Sequence, residues 1–265
     1  MEHLFAAWQK VSLSIAQASA VALMLDYDGT LTPIVGRPEE ASLYPATRRL
    51  LAALTAKPRF SVAVISGRTL EDLRQRVGLA GLVLAGNHGL EVATPQGGFL
   101  HPAAVSSRPA LMAIAVALRE ALRDIEGVLV EDKGLSLSLH YRQVNRSMVV
   151  LVGRRFRDVT APYVRGGSVR ITRGKKVYEV RPPVRWDKGL AIDWILNRCY
   201  NGVQGNILPI YVGDDVTDED GFREVGRWHG VSVLVAGERR RSRAGYYLSS
   251  PAEVAEMVGR LTRTD

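Results

Sequence analysis

The sequence predicts an α/β fold: a doubly wound, mostly parallel sheet into which a smaller α+β unit is inserted. Three observations lead there. Short runs rich in Val, Ile and Leu alternate with stretches of helical period toward both ends of the chain. The middle of the chain alternates instead with a period of two, the mark of a half-buried antiparallel strand. Carboxylates follow directly on two of the apolar runs, at the strand ends where open parallel sheets place their ligand sites.

The elements follow in order. Val21–Leu25, Ser61–Ile65, Leu82–Ala85, Ile207–Val212 and Val231–Val235 read as strands, because short branched apolar runs suit strands buried on both faces. Pro45–Leu54, Leu70–Val77, Gly189–Leu196 and Ala252–Leu261 read as the helices between them. Within the insert, Pro109–Ile125 reads as a helix. Leu135–Arg142 then sets Leu135, Leu137 and Leu139 on one face of a strand and Ser136, Ser138 and His140 on the other. Asn145–Thr160 reads as a second helix. Ser168–Thr172 and Lys176–Val180, joined through Arg173-Gly174-Lys175, read as a hairpin. The expected division is a core of residues 1–105 and 183–265 with a cap of residues 106–182, jointed near Pro102–Pro109 and Arg181–Arg185.

The chain has 265 residues, Lys and Arg exceeding Asp and Glu by 35 to 27 for a net charge of +8, and 46% hydrophobic residues. That composition excludes disorder and collagen-like structure. The single cysteine, Cys199, excludes an internal disulfide and a thiolate metal cluster, and suits a reducing cytoplasm. The apolar stretch from Val11 to Leu25 is broken by Ser12, Ser14, Gln17 and Ser19 and falls short of the roughly 20 residues a spanning helix needs. Glu2 sits where a signal peptide carries basic residues, so no targeting segment is expected. The densest basic run, Arg239, Arg240, Arg241 and Arg243, lacks interleaved aromatics and reads as a solvated loop. The surplus positive charge suits attraction of a small anion.

Four motifs carry chemistry. The first, Leu25-Asp26-Tyr27-Asp28-Gly29-Thr30-Leu31-Thr32, follows an apolar strand. In extended chain, residues i and i+2 point the same way, so both carboxylates are expected to enter one site. Two neighbouring carboxylates repel unless a cation or shared proton relieves them. A divalent ion does so, leaving one carboxylate as nucleophile and the other as acid/base; an Asp-rich turn is the plainer alternative. The second, Gly213-Asp214-Asp215-Val216-Thr217-Asp218-Glu219, clusters carboxylates after another strand. Oxygen donors without His or Cys select Mg²⁺ over zinc, and a helix N-cap suits the same residues. Third, Ser66-Gly67-Arg68 closes Ser61–Ile65; a hydroxyl, a flexible backbone and a helix N-terminus form a phosphate-binding corner. Fourth, Trp186-Asp187-Lys188-Gly189 opens a helix, and its lysine suits neutralising a transferred phosphoryl group and restraining the nucleophilic carboxylate.

In this order, each at a strand end or helix start, the motifs resemble those of the haloacid dehalogenase superfamily of aspartate-dependent phosphohydrolases. The resemblance implies that Asp26 attacks phosphorus to form an aspartyl-phosphate, and that Asp28 protonates the leaving sugar oxygen and then activates water. Ser66 and Lys188 would hold the phosphoryl oxygens, with Gly67 and Arg68 beside them. Mg²⁺ would sit between Asp26, the backbone carbonyl of Asp28, and Asp214, with Asp215 supporting its shell. The strings LDYDGTLTPI, ISGR, GNHGLE, EDKGLSLSLHYR, KKVYEVRP, WDKG and YVGDDVTDED are similar to those of the trehalose-6-phosphate phosphatase family. Gly221, after the last of them, departs from the Ala expected there.

By that resemblance Glu131, Lys133 and Glu179 bind the distal glucose, and Asn87 and His88 contribute from a core loop facing the insert. The plainer readings are a polar strand-to-turn segment for Glu131 and Lys133 and a backbone-bonded loop histidine for His88. The implied activity is Mg²⁺-dependent hydrolysis of trehalose 6-phosphate by a cytoplasmic monomer. Its partner is a small molecule, not nucleic acid or membrane, and association with a trehalose-6-phosphate synthase is left open. Sucrose phosphate, mannosyl-phosphoglycerate or glucosylglycerol phosphate as substrate would use the same mechanism, and a phosphomutase would reuse the aspartyl-phosphate but return the group to the sugar. A polyanion- or nucleic-acid-binding protein with an idle fold would use the charge instead and show salt-sensitive binding without Mg²⁺-dependent turnover.

Overall fold

The computed structural model describes residues 1–174, 176–200, 205–238 and 240–264, with Pro38 and Tyr200 by backbone alone. Lys175, in the expected hairpin turn, and Arg239, in the basic run, lie outside the described residues. The chain forms two compact units, Met1–Phe99 with Trp186–Asp265, and Leu100–Arg185.

The elements begin with β1 (Glu2–His3), α1 (Trp8–Gln17), β2 (Ala20–Leu25), α2 (Pro45–Thr55), β3 (Phe60–Ile65), α3 (Leu70–Val77), β4 (Val83–Gly86), β5 (Glu91–Thr94) and β6 (Gly97–Leu100). The inserted unit holds α4 (Pro102–Ala121), β7 (Leu129–Asp132), β8 (Leu137–His140), α5 (Val149–Arg165), β9 (Arg170–Gly174) and β10 (Val177–Arg181). The chain returns through α6 (Lys188–Tyr200), β11 (Ile207–Gly213), α7 (Glu219–Arg227), β12 (Val231–Val235), β13 (Tyr246–Leu248) and α8 (Pro251–Leu261).

The larger unit is a sheet in the order β1-β13-β12-β11-β2-β3-β4-β5-β6. Pairs from β1 through to β4 are parallel, and β5 runs antiparallel to β4. The chain steps outward from β2 to β3 and β4, then fills the other side from β11. The order therefore reverses between β2 and β11, where open α/β sheets leave a crevice beyond the strand ends. Both faces are covered: Val21, Leu23 and Leu25 of β2 enter one core, and Ala22 and Met24 the other. That is why these strands read as continuous apolar runs. Among the helices α3 shows the local signals well. Thr69 Oγ1 accepts the Asp72 N–H at 3.1 Å, Leu73 and Val77 are buried, and Gly78 closes the helix at φ +60°.

The inserted unit is a four-stranded antiparallel sheet, β7-β8-β10-β9. Leu137, Leu139 and Val180 pack with Leu111, Ile114 and Leu118 of α4 and Phe156 of α5 in one core. A one-residue slip of β8 would turn its leucines out and its serines in. At roughly 1.5–3 kcal/mol per buried Leu, that cost fixes the register. The fixed register lines Glu131, Ser138, Glu179 and Thr172 up in one row across the strands, on the face away from the leucines. Basic residues outnumber acidic ones more than two to one in Leu100–Arg185 while the other unit is near balance, so the positive excess belongs to the insert.

Several boundaries differ from the sequence reading. The stretch Pro102–Pro109, expected as a joint, is the first part of α4. Proline marks a first helical turn equally well at either position. The choice falls on Pro102 because His101 Nδ1 accepts the Ala103 N–H at 3.2 Å, while Pro109 is tolerated inside the helix. The apolar stretch from Val11 to Leu25 is half α1 and half β2. Strands β1, β5, β6, β7 and β13 are too short or too polar to stand out by pattern. Among the described residues no helix is long and apolar enough to cross a membrane.

Candidate active site

The centre forms where the apolar strands end. Leu25 pairs with Val64 of β3 and Val212 of β11, so Asp26 and Asp214 leave adjacent strands at nearly the same level. The Asp26 N–H still donates to the Val212 carbonyl at 2.9 Å, which fixes its backbone at the sheet's edge. Lys188 opens α6, and its ammonium donates to Asp26 Oδ1 and Asp218 Oδ1, each at 2.6 Å. The Lys188 side chain is 4% exposed and the two carboxylates 6% and 0%.

Asp218 organises this group. Its Oδ1 also accepts the Tyr211 hydroxyl at 2.5 Å, and its Oδ2 accepts the N–H groups of Asp214 and Asp215, each at 2.9 Å. Four accepted bonds fill a carboxylate's capacity. Gly213 makes room for it. A Cβ at Gly213 would strike the Asp218 carboxylate, so the glycine serves close approach. Gly29, at φ +89°, gives Asp214 the same clearance.

Carboxylate oxygens of Asp26, Asp214 and Asp218 lie within 4.8 Å of one another. An all-oxygen set of this kind fits a hard divalent cation such as Mg²⁺. Because Asp218 is saturated, Asp26 and Asp214 retain the capacity to coordinate. Burial raises the Asp26 carboxyl well above the usual range; Lys188 opposes this, and Asp218 and Asp214 reinforce it. Burial also disfavours the Lys188 ammonium, but Asp218 and Asp26 outweigh it and hold that pKa above the ordinary lysine value. Asp214 is pushed up to about 7, first by burial and then by Asp218.

The folded value for Asp214 lies above the ordinary 3.8, so its proton stabilises the fold at low pH, and this contribution fades as pH rises through about 7. Without metal, Asp214→Asn is therefore expected to gain melting temperature over wild type as pH rises through that window. Thermal melts in EDTA across the pH range read this directly, and a constant difference would remove the shift.

The carboxylates of Asp28 and Asp215 make other bonds; the ligand expected of Asp28 is its backbone carbonyl, and Asp215 is expected to support the shell. Asp28 is clamped by Arg68, with Nε to Oδ2 at 2.7 Å and Nη2 to Oδ1 at 2.6 Å. Asp215 Oδ1 instead caps the following turn, accepting the Val216 N–H at 2.6 Å. Arg68, expected beside the phosphate, spends its guanidinium on Asp28 and on Asp72, the latter at 2.7 Å. At the start of α3 the Leu70 N–H goes to Glu91 Oε1 at 2.7 Å and the Asp72 N–H to Thr69, so this helix terminus already has its own acceptors. Ser66 is buried at the end of β3, its Oγ accepting the Arg68 N–H at 3.2 Å.

Asn87 and His88 both have positive φ, 48° and 57°. Their N–H groups donate to the carbonyls of Arg68 and Ser66, at 2.6 and 2.8 Å, and so hold the Ser66 loop. The His88 ring packs where a Cβ on Gly67 would stand, and Asn87 Nδ2 donates to Glu91 at 2.8 Å.

In the insert, Glu131 accepts from His140 Nε2 at 2.9 Å, with Lys133 Nζ at 3.7 Å. Glu179 Oε2 accepts Arg181 Nη2 at 2.6 Å and Thr172 Oγ1 at 3.2 Å. Sequence reasoning left Asp218, Tyr211 and Glu91 without a role. Asp218 had a signal, since Asp215 and Asp218 stand at capping-box spacing. Tyr211 is hidden inside an apolar strand and Glu91 in a short strand without an apolar pattern.

Residues 24–252 match the family model described as trehalose-phosphatase. The trehalose-phosphate phosphatase of Mycobacterium tuberculosis is 40% identical over 247 residues, covering 91% of this chain and 61% of that protein. The chain thus spans less than two thirds of that relative. The C-terminal domain of the Candida albicans trehalose-6-phosphate phosphatase shares the fold, with TM-score 0.83 over 96% of each chain at 22% identity. An Aspergillus fumigatus trehalose-6-phosphate phosphatase superposes with TM-score 0.68 over 97% of each chain at 27% identity. On the extent of the family match and the identity to the mycobacterial protein, this chain belongs to the trehalose-phosphatase family.

Proposed function

We propose that the chain hydrolyses trehalose 6-phosphate to trehalose and phosphate through an aspartyl-phosphate on Asp26. The observation that carries this reading is the buried Lys188 ammonium on Asp26 Oδ1, which orients one carboxylate at a strand end and leaves its Oδ2 to attack. Asp26 Oδ2 forms the bond to phosphorus as the bond from phosphorus to the sugar oxygen breaks. Asp28, turning from Arg68, gives that oxygen its proton. Asp28 then takes a proton from water, whose oxygen attacks phosphorus and frees Asp26 and phosphate. Lys188 and Ser66 balance the phosphoryl charge, and Asp218 with Tyr211 keeps the ammonium aimed. Asp26 and Asp214 would hold Mg²⁺, which when bound screens the phosphoryl oxygens from the nucleophile's charge.

For the sugar we assign Glu131, Lys133 and Glu179. The polar row of the inserted sheet offers carboxylates, hydroxyls and a nearby ammonium, the directional partners that sugar hydroxyls need. Phosphate release from trehalose 6-phosphate, sucrose 6-phosphate, glucose 6-phosphate and p-nitrophenyl phosphate, with Mg²⁺ and with EDTA, tests the reading. Preference for the first, lost in EDTA, is the expected result, and equal rates across the set would refute the substrate assignment. Glu179→Ala should lower turnover of trehalose 6-phosphate by roughly 10–100-fold, the scale of one or two lost charged hydrogen bonds, and spare p-nitrophenyl phosphate. Equal losses on both would take Glu179 out of sugar recognition.

A further inference from the structure

The basic run after β12 is more than a solvated loop. Arg240 Nη2 donates to the backbone carbonyl of Asp214 at 2.6 Å. The next peptide atoms are also held, because the Asp215 N–H donates to Asp218 Oδ2 at 2.9 Å. The peptide between Asp214 and Asp215 is therefore pinned from both sides, its carbonyl by Arg240 and its N–H by Asp218. A second tie joins the same two segments: the Arg243 N–H donates to Glu219 Oε2 at 2.8 Å. Arg241, between them, is exposed.

We propose that Arg240 is a positioning residue for the cation site, fixing the peptide that aims the Asp214 carboxylate. The inference rests on the reading of Asp26 and Asp214 as cation ligands. It makes a prediction opposite in sign to plain electrostatics. Removing a positive charge beside a cation site should tighten cation binding through lost repulsion. Removing a strut behind a ligand should weaken it, by roughly 10–100-fold as for other groups that orient metal ligands.

The test is Mg²⁺ affinity by titration calorimetry, with the Mg²⁺-induced rise in melting temperature as a second readout. Wild type, Arg240→Met, Arg240→Lys and Arg241→Met are compared; methionine keeps the apolar stem and removes the donors. Arg240→Met should bind Mg²⁺ roughly 10–100-fold more weakly, Arg240→Lys should fall between it and wild type, and Arg241→Met should match wild type. Binding by Arg240→Met as tight as wild type or tighter overturns the proposal, as does an equal loss in Arg241→Met. Should Arg240→Met fail to fold by circular dichroism, Arg240→Lys decides against Arg241→Lys: weaker binding supports the strut and equality overturns it. A wild type indifferent to Mg²⁺ in both readouts would overturn the cation-site reading itself, and the proposal with it.

Discussion

Replacing Asp26 by Asn is expected to abolish phosphate release, by on the order of 10⁴-fold or more, as loss of a covalent nucleophile does. The fold should survive, and in EDTA near neutral pH it should gain stability. Asp26 is buried, and burial, Asp218 and Asp214 together raise its carboxyl despite Lys188. A neutral amide of the same shape removes one member of a like-charged group. It also leaves Lys188 paired with Asp218, whose other three hydrogen bonds are untouched. Phosphate release and urea unfolding on one preparation read both effects. Substantial residual turnover would remove Asp26 as nucleophile. Lost turnover with an unfolded variant would mean the carboxylate is needed to hold the centre together.

Legibility of the fold in the sequence follows the physics of each segment. Leu70–Val77 and Val231–Val235 start and stop where their patterns do, because Thr69 and Gly78 cap the first and full burial on both faces marks the second. β5 and β13 stay hidden because strands of four and three residues are too short to show an apolar period; the neighbouring strands supply their hydrogen bonds. The terminal helix α1 escapes notice because its apolar residues run straight into those of β2. At the site, Asp26, Ser66, Asp214 and Lys188 are legible because each follows a strand or opens a helix. What stays illegible is pairing across sequence. Nothing local says that Arg68 will turn to Asp28, 40 residues earlier, or that Arg240 will reach Asp214, 26 residues earlier. Spacing places the backbone of a site, and only tertiary packing decides which charges it spends on one another.

Replacing Lys188 by Met is the variant expected to damage the molecule most, because it removes the partner of two buried acids at once. Breaking a buried ion pair by deleting one partner costs about 3–5 kcal/mol, since the charge left behind is uncompensated. The loss should not fall equally on the two. Asp218 keeps the Tyr211 hydroxyl and two backbone N–H donors, whereas the carboxylate of Asp26 loses the group that holds Oδ1. Its pKa, already raised with Lys188 present, should rise further. A carboxyl whose folded pKa exceeds its unfolded value stabilises the fold below the unfolded value and ceases to as pH rises through the folded one. The deficit of Lys188→Met relative to wild type should therefore be small near about pH 4 and grow toward about pH 8. Added Mg²⁺ should recover part of it by supplying the missing positive charge, while turnover stays lost because the phosphoryl group has no ammonium to meet it. Urea unfolding at both pH values, with EDTA and with Mg²⁺, separates this from simple loss of packing. A pH-independent deficit, untouched by Mg²⁺, would mean that Lys188 holds the centre by its stem and not by its charge.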